Sequence, residues 1–529
     1  MGIFGKLFSK QAKVSDDSDK PSTGGVSNDS LPKGRQYKIG DRIAGRYQIY
    51  QILGGEGKSG FGIVYVCYDH EAKEVLALKT FQDKYLSSRE ARENFKKEAL
   101  LWVHIERYPY IVANSWVQEL DYRLYVGCEF VAPDQEGRNT LTQYLNCPVS
   151  FKQALTWSIQ FCYAMEYAVS KGVTPHRDIK PDNIMITSDK TLKVTDFGLA
   201  GLLQGVYFTK DFHAKEEVRG GTVLYMAPEQ FDGKADVRSD IYSFGIVMYQ
   251  MVNGGRLPFV LPMQIGLSTQ IIYSYWKEFH ETYKVRGINS ELFPIISKCL
   301  EKSPNSRYRR FNELRIEIES LYRKYIGESI PQPPQSKELE AGEFSNKGLS
   351  LANLGLIDEA IGEYLKAIKI NPEYVIAHSN LGYALEAKGL IDEAIVEYCK
   401  AIKINPKFAE AHFNLGNALQ DKGLIDEAIK EYLKAIKINP ELAYYYNNLG
   451  IALKDKGLID EAIKEYLKAI KINPEFAEAY TNLGNVLQTK GLIDEAIVEF
   501  ENFIKYAPPK YAGHVEKVRA HISELKRRR

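Results

Sequence analysis

The residues most able to do chemistry are His176-Arg177-Asp178-Ile179-Lys180-Pro181-Asp182-Asn183, followed shortly by Asp196-Phe197-Gly198. A carboxylate, an ammonium, an amide and a second carboxylate in this order suit phosphoryl transfer from a nucleotide. They supply a base for a hydroxyl proton, a cation against the phosphoryl charge and two oxygen ligands for a hard metal ion. A lone tripeptide would carry little weight. Eight residues at fixed positions, with a second metal-binding tripeptide after them, carry much more.

These motifs resemble the eukaryotic-type protein kinase family, over roughly residues 47 to 326. The resemblance implies ATP and Mg2+ as cofactors, Asp178 and Lys180 as the catalytic pair, and Asn183 and Asp196 as metal ligands. The Lys-Pro-x-Asn form of the loop resembles the serine/threonine branch. Upstream, Gly54-Gly55-Glu56-Gly57-Lys58-Ser59-Gly60-Phe61-Gly62-Ile63-Val64 lies between two strand candidates. The phosphate cover reads as Gly57, Ser59, Gly62 and Val64; a register starting at Gly55 is the alternative. Lys79 resembles the strand lysine that contacts phosphates. It needs an acidic partner, for which Glu98 is preferred and Glu93 is the alternative. Backbone groups of Glu129 and Val131 would hold the adenine edge, with Cys128 as gatekeeper. Thr209 and Thr222, in the segment from Asp196 to Ala227-Pro228-Glu229, are candidate phosphorylation sites, and Arg177 is the residue that pairs with such a phosphate in the family. Asp240 resembles the acid that fixes the catalytic-loop backbone, and Glu229 with Arg307 an anchoring ion pair. Pro175, directly before His176, departs from the family pattern and keeps a pseudokinase reading open.

Several elements must position these groups. Ile49–Leu53, Ile63–Tyr68 and Val75–Lys79 alternate as strands. Residues 88 to 105 carry Phe95, Leu101 and Trp102 on a helical period, and helical patterns dominate from 140. The expected class is multidomain: an α+β bilobal kinase fold, then an all-α solenoid. Expected boundaries are 1–45 (disordered N-terminal segment, with order beginning near Tyr47), 46–326 (kinase domain), 327–340 (Pro-rich linker), 341–510 (five tetratricopeptide repeats) and 511–529 (capping helix and basic tail).

The repeats are read from self-similarity. Asn-Pro recurs at 371, 405, 439 and 473, Gly-Leu-Ile-Asp-Glu-Ala-Ile at 355, 389, 423, 457 and 491, and Asn-Leu-Gly at 380, 414, 448 and 482, a step of 34 residues. Asn346, Asn380, Asn414, Asn448 and Asn482 share one repeat position that in the tetratricopeptide family faces a groove. An asparagine row there could hydrogen-bond an extended peptide, although recent duplication also copies every residue.

At 44% hydrophobic and 26% charged, the 529-residue chain has an ordinary globular composition, and a net charge of +1 gives no field for nucleic acid. Six scattered cysteines without a CxxC pair fit a cytoplasmic protein. No transmembrane run is present. Ile3, Phe4, Leu7 and Phe8 beside Lys6 and Lys10 leave a peripheral membrane contact as the alternative to a frayed terminus. The expected function is a serine/threonine protein kinase whose array docks substrates or regulators. A scaffold acting through its repeats, or an array that restrains its own catalytic lobe, are the alternatives.

Overall fold

The computed structural model describes residues 37–54, 62–81, 89–120, 123–173, 175–197, 222–260, 269–333, 340–507 and 511–527. These fall in one compact unit, Gly34–Arg529. Strands β1 (Arg42–Ile43), β2 (Tyr47–Gly54), β3 (Gly62–Asp69), β4 (Glu74–Phe81), β5 (Asn114–Leu120) and β6 (Arg123–Glu129) form a sheet in the order β1-β2-β3-β4-β6-β5. Every neighbouring pair is antiparallel. The two-residue period of β4 sends Leu76 and Leu78 to the outer face, where they pack with Ile49, Tyr65 and Tyr125. Lys79 consequently points to the other face. That face is covered by helix α1 (Arg89–His104), whose Phe95 and Ala99 pack on Val117 and Val126.

Part of the segment expected to be disordered is structured. Residues 37–45, assigned to the disordered segment, include β1 and a buried Tyr37 set edge-on against Tyr65 at 6.1 Å. Tyr37 and Ile43 bury against the outer face of the sheet, and backbone hydrogen bonds of Gly40 and Asp41 with Ile49 hold the stretch beside β2.

The second lobe contains α2 (Leu141–Tyr144), α3 (Phe151–Ser170), the hairpin β7 (Ile184–Ile186) and β8 (Leu192–Val194), then α4 (Val237–Val252), α5 (Thr269–Thr282), α6 (Phe293–Cys299) and α7 (Phe311–Tyr325). Ser150 caps α3 by accepting from the Gln153 N–H. Phe161 of α3 stacks on Phe244 of α4 with centroids 3.8 Å apart. The chain after α7 is tied down: Ile330 packs on this core, and the Gln332 carbonyl accepts from the Tyr110 hydroxyl at 3.1 Å.

Five helix pairs follow: α8 (Ala341–Asn353) with α9 (Ile357–Ile370), α10 (Val375–Ala387) with α11 (Ile391–Ile404), α12 (Ala409–Asp421) with α13 (Ile425–Ile438), α14 (Ala443–Asp455) with α15 (Ile459–Ile472), and α16 (Ala477–Thr489) with α17 (Ile493–Tyr506). Each first helix ends on a left-handed glycine, Gly355 at φ +87° in the first pair, and the next residue's N–H, that of Leu356, bonds back to the Leu351 carbonyl. Inside each pair a glycine makes a notch for a ring. A Cβ on Gly382 would lie 2.6 Å from Cε1 of Tyr398, and Gly348, Gly416 and Gly450 stand the same way against Tyr364, Tyr432 and Tyr466.

The last ring is Phe500, against Gly484. In the second and third units the ring hydroxyls of Tyr398 and Tyr432 donate to Glu386 and Gln420. At the equivalent Gln488 the partner is instead His521, 2.8 Å away on the terminal helix α18 (Ala512–Arg527). Val518, Ile522 and Leu525 of that helix bury against the last repeat.

Candidate active site

Asn183 and Asp196 are brought together by a hairpin. Ile184 pairs with Val194, so the residues flanking β7 and β8 leave the ladder side by side, and the Thr195 N–H bonds the Asn183 carbonyl at 3.0 Å. Pro181 opens the 3₁₀ turn Pro181–Asn183 that turns Asn183 inward, where it is buried. Its amide nitrogen donates to the Asp178 carbonyl and to Asp178 Oδ2, both at 2.8 Å. That orientation turns Asn183 Oδ1 away from Asp178, as a metal-binding amide requires. Lys180 Nζ lies 2.8 Å from Asp178 Oδ2. The carboxylate of Asp178 is therefore held on both sides.

Lys79 arrives from the other lobe. Central in β4, opposite Val64 on one side and Val126 on the other, it is buried and reaches Asp196 Oδ1 at 2.8 Å. Burial raises the Asp196 carboxyl, but the charges of Lys79 and Lys180 outweigh it and the net shift is downward. Asp196 sits at φ +63° and Arg177 at φ +69°, two of the five left-handed non-glycine residues among those described. Phe197 is fully buried between Trp102 of α1, 5.8 Å away and edge-on, and His176 at 4.7 Å. An aromatic column thus runs from α1 to the catalytic loop.

Beneath the loop, the His176 and Arg177 N–H groups donate to the two oxygens of Asp240 at 2.7 and 2.8 Å. Asp240 stands in the first turn of α4, whose start is fixed by Asp236 and Ser239 in a reciprocal cap. Its carboxyl is pushed up by burial to about 7 against the pull of those two donors. Burial lowers the pKa of His176, whose Nε2 faces the Thr195 carbonyl at 2.9 Å. Glu229 and Arg307 form a two-pronged pair at 2.6 and 3.1 Å, with the Arg307 side chain fully enclosed.

Several anticipated positions stand differently. Gly57, Ser59 and Thr209 lie outside the described residues, as do the side chains of Glu98 and Thr222. Gly62 does face Lys79: a Cβ added there would lie 3.8 Å from the Lys79 Cε. Glu93, the alternative partner of Lys79, is exposed and pairs with Lys96 at 3.5 Å. At the junction of the lobes the Glu129 side chain accepts from Lys193 Nζ at 2.8 Å, and the Val131 carbonyl accepts from Asn139 at 2.9 Å. The asparagine row is partly engaged within the array. Nδ2 of Asn380, Asn414, Asn448 and Asn482 donates to Ser345, Ser379, Asn417 and Asn447 at 3.4, 3.5, 3.0 and 2.9 Å. Asn346 lines a cleft of about 410 Å³ shared with Glu74, Asn114 and Glu129 of the sheet lobe.

Sequence reasoning missed Gln230, whose amide donates to the Arg177 carbonyl at 3.1 Å, and His280, which faces the Val223 carbonyl at 2.9 Å. Neither belongs to a motif. The position of Gln230 directly after Ala227-Pro228-Glu229 was the only available signal.

Residues 47–315 match the protein kinase domain family. Residues 348–389, 387–423, 421–457 and 452–491 match the TPR repeat, and 477–510 the tetratricopeptide repeat. The chain is 32% identical over 291 residues to serine/threonine-protein kinase PrkC of Bacillus subtilis, covering 54% of this chain and 42% of that protein. It is 29% identical over 291 residues to serine/threonine-protein kinase A of Synechocystis, covering 50% and 51%. This chain thus matches about two-fifths to one-half of the length of these relatives. Among solved structures, MamA is 33% identical, covering 30% of this chain and 93% of that one, at a TM-score of 0.28. With more than half of its length matched to the kinase domain, and a bilobal fold that joins Lys79 to Asp196 across the lobes, the chain belongs to the protein kinase family.

Proposed function

We propose that this chain transfers the γ-phosphoryl group of ATP to serine or threonine hydroxyls of proteins in the cytoplasm, and that its array recruits substrates or regulators. One observation carries the reading: Asp178 held between Lys180 and Asn183, beside a hairpin end whose Asp196 meets Lys79 from the other lobe. In this reading Asp178 accepts the proton leaving the substrate hydroxyl as the hydroxyl oxygen attacks the γ-phosphorus and the bond from that phosphorus to the β,γ-bridging oxygen breaks, releasing ADP. Lys180, already against Asp178, neutralises charge on the transferring group. Lys79 holds the α- and β-phosphates, Gly62 and Val64 form the described end of the phosphate cover with Gly57 and Ser59 at its other end, and backbone groups of Glu129 and Val131 hold the adenine. Asn183 Oδ1 and the Asp196 carboxylate are hard oxygen donors suited to magnesium, which when bound screens the phosphate charge. Nε of Arg177 is buried and, among the described residues, without a hydrogen-bond partner, which supports its pairing with a phosphate on Thr209 or Thr222. In the array, amide oxygens of the asparagine row would accept from a bound peptide backbone.

The test is magnesium–ATP turnover and autophosphorylation by the intact chain and by Asp178→Ala. The variant is expected to lose about 100-fold or more. Equal signals from both would sink the reading. The scaffold alternative finds no support, since Lys79, Asp178, Asn183 and Asp196 are all present and the relatives are named kinases.

A further inference from the structure

Strand β5 lies at the edge of its sheet, and an edge strand presents unpaired N–H and C=O groups. Here the first helix of the array covers that edge. The Val117 N–H donates to Ser350 Oγ at 2.8 Å, and the Val117 carbonyl accepts from Asn353 Nδ2 at 3.0 Å. Ser350 is buried, and its own hydroxyl proton goes to the Asn346 carbonyl at 2.7 Å, which leaves an oxygen lone pair for Val117. One turn on, Leu354 packs into the cluster of Phe95, Ala99, Val117 and Val126 beneath α1. From the kinase side, Leu100 and Val103 of α1 pack into the core of the first repeats with Leu351 and Leu381. Ion pairs rim the contact, Arg107 with Glu343 at 3.4 Å and Lys347 with Glu106 at 3.5 Å.

The repeat itself records this adaptation. Stepping by 34, the position of Ser350 holds Ala384, Ala418, Ala452 and Val486, and that of Asn353 holds Ala387, Asp421, Asp455 and Thr489. Leu354 stands where every later unit has a lysine (Lys388, Lys422, Lys456, Lys490), and Lys347 where every later unit has a leucine (Leu381, Leu415, Leu449, Leu483). The later lysines bond an aspartate of the preceding unit, as Lys388 does to Asp358. The first unit has no preceding repeat, and its residues at these positions meet the kinase instead.

The helix so gripped also reaches the site. Trp102 of α1 backs Phe197, Phe197 meets His176, and Lys79 Nζ lies 5.8 Å from the centre of the Trp102 ring. The geometry points to the first repeat as a working part of the phosphotransferase: Ser350, Asn353 and Leu354 are positioning residues that hold β5 and α1, and through them the Lys79–Asp196 side of the cleft. This builds on the phosphotransfer reading above, and it assigns the array a supporting action on catalysis where restraint was the alternative.

The test uses the full chain with Ser350→Ala, Asn353→Ala and Leu354→Lys together, the residues that the second repeat carries at these positions and that its helix tolerates. Magnesium–ATP turnover should fall about tenfold in kcat, well beyond any change in melting temperature would account for at the assay temperature. Hydrogen exchange should quicken in β5 and α1 and stay unchanged in α3 and in the later repeats. Turnover within about twofold of wild type, or above it, overturns the inference, as does unaltered exchange in α1. Wild-type turnover no higher than that of Asp178→Ala would defeat the phosphotransfer reading alone, and the exchange measurement would still decide the positioning of α1.

Discussion

His280 is the residue at which acid should be felt. It lies fully enclosed between the Val223 carbonyl and the Tyr242 hydroxyl, and burial pulls its pKa from 6.5 down to about 3. A histidine held neutral in the fold gains a proton only on unfolding. Its contribution is therefore complete above pH 6.5 and is lost as the pH falls from there towards 3. Urea unfolding at pH 7 and pH 5 should show about 2 kcal/mol of loss attributable to this group, and His280→Asn should flatten that dependence. An unchanged slope in the variant would contradict the assignment. This histidine was invisible in the sequence because its partner is 57 residues away and outside any motif. Asp178, Lys180 and Asn183 were legible for the opposite reason. Their chemistry requires them within one loop, so spacing alone carried it, whereas the pairing of Lys79 with Asp196 spans 117 residues and was not anticipated, Glu98 and Glu93 having been the expected partners.

Among elements, the repeat helices show most plainly how a glycine can be either required or merely tolerated. A Cβ on Gly416 would lie only 2.6 Å from the Tyr432 ring, so Gly416→Ala must push the ring or the helix aside and should cost about 1–3 kcal/mol. Gly362 lies inside α9 with nothing within 4 Å of an added Cβ, and Gly362→Ala should stabilise by about 0.5–1 kcal/mol. Thermal melts of the two variants should move in opposite directions; a shared direction would refute the notch. The strands β2 to β4 and helix α1 were readable from periodicity. The short hairpin of β7 and β8 was not, because three-residue strands carry too little alternation, although this hairpin sets the spacing of Asn183 and Asp196.

For the whole molecule, the array is held at both ends, by the sheet lobe at α8 and by α18 at the other. Removing residues 511–529 should expose Phe500 and Phe503, loosen the fifth repeat in hydrogen exchange, and shift the chain towards self-association in gel filtration. A monomeric truncated chain with unchanged exchange would show α18 to be dispensable. The number and length of the repeats were legible from their 34-residue step, whereas strand β1 and the burial of Tyr37 were missed because the composition of this stretch hid its two buried side chains. The hydroxyl missing from Phe500, with His521 bonded to Gln488 in its stead, marks the fifth unit as a terminus. New copies could be spliced in between interior units, which share the glycine notch and its tyrosine. The reach of the array is thus free to lengthen or shorten through unequal recombination, while its two fastenings stay fixed.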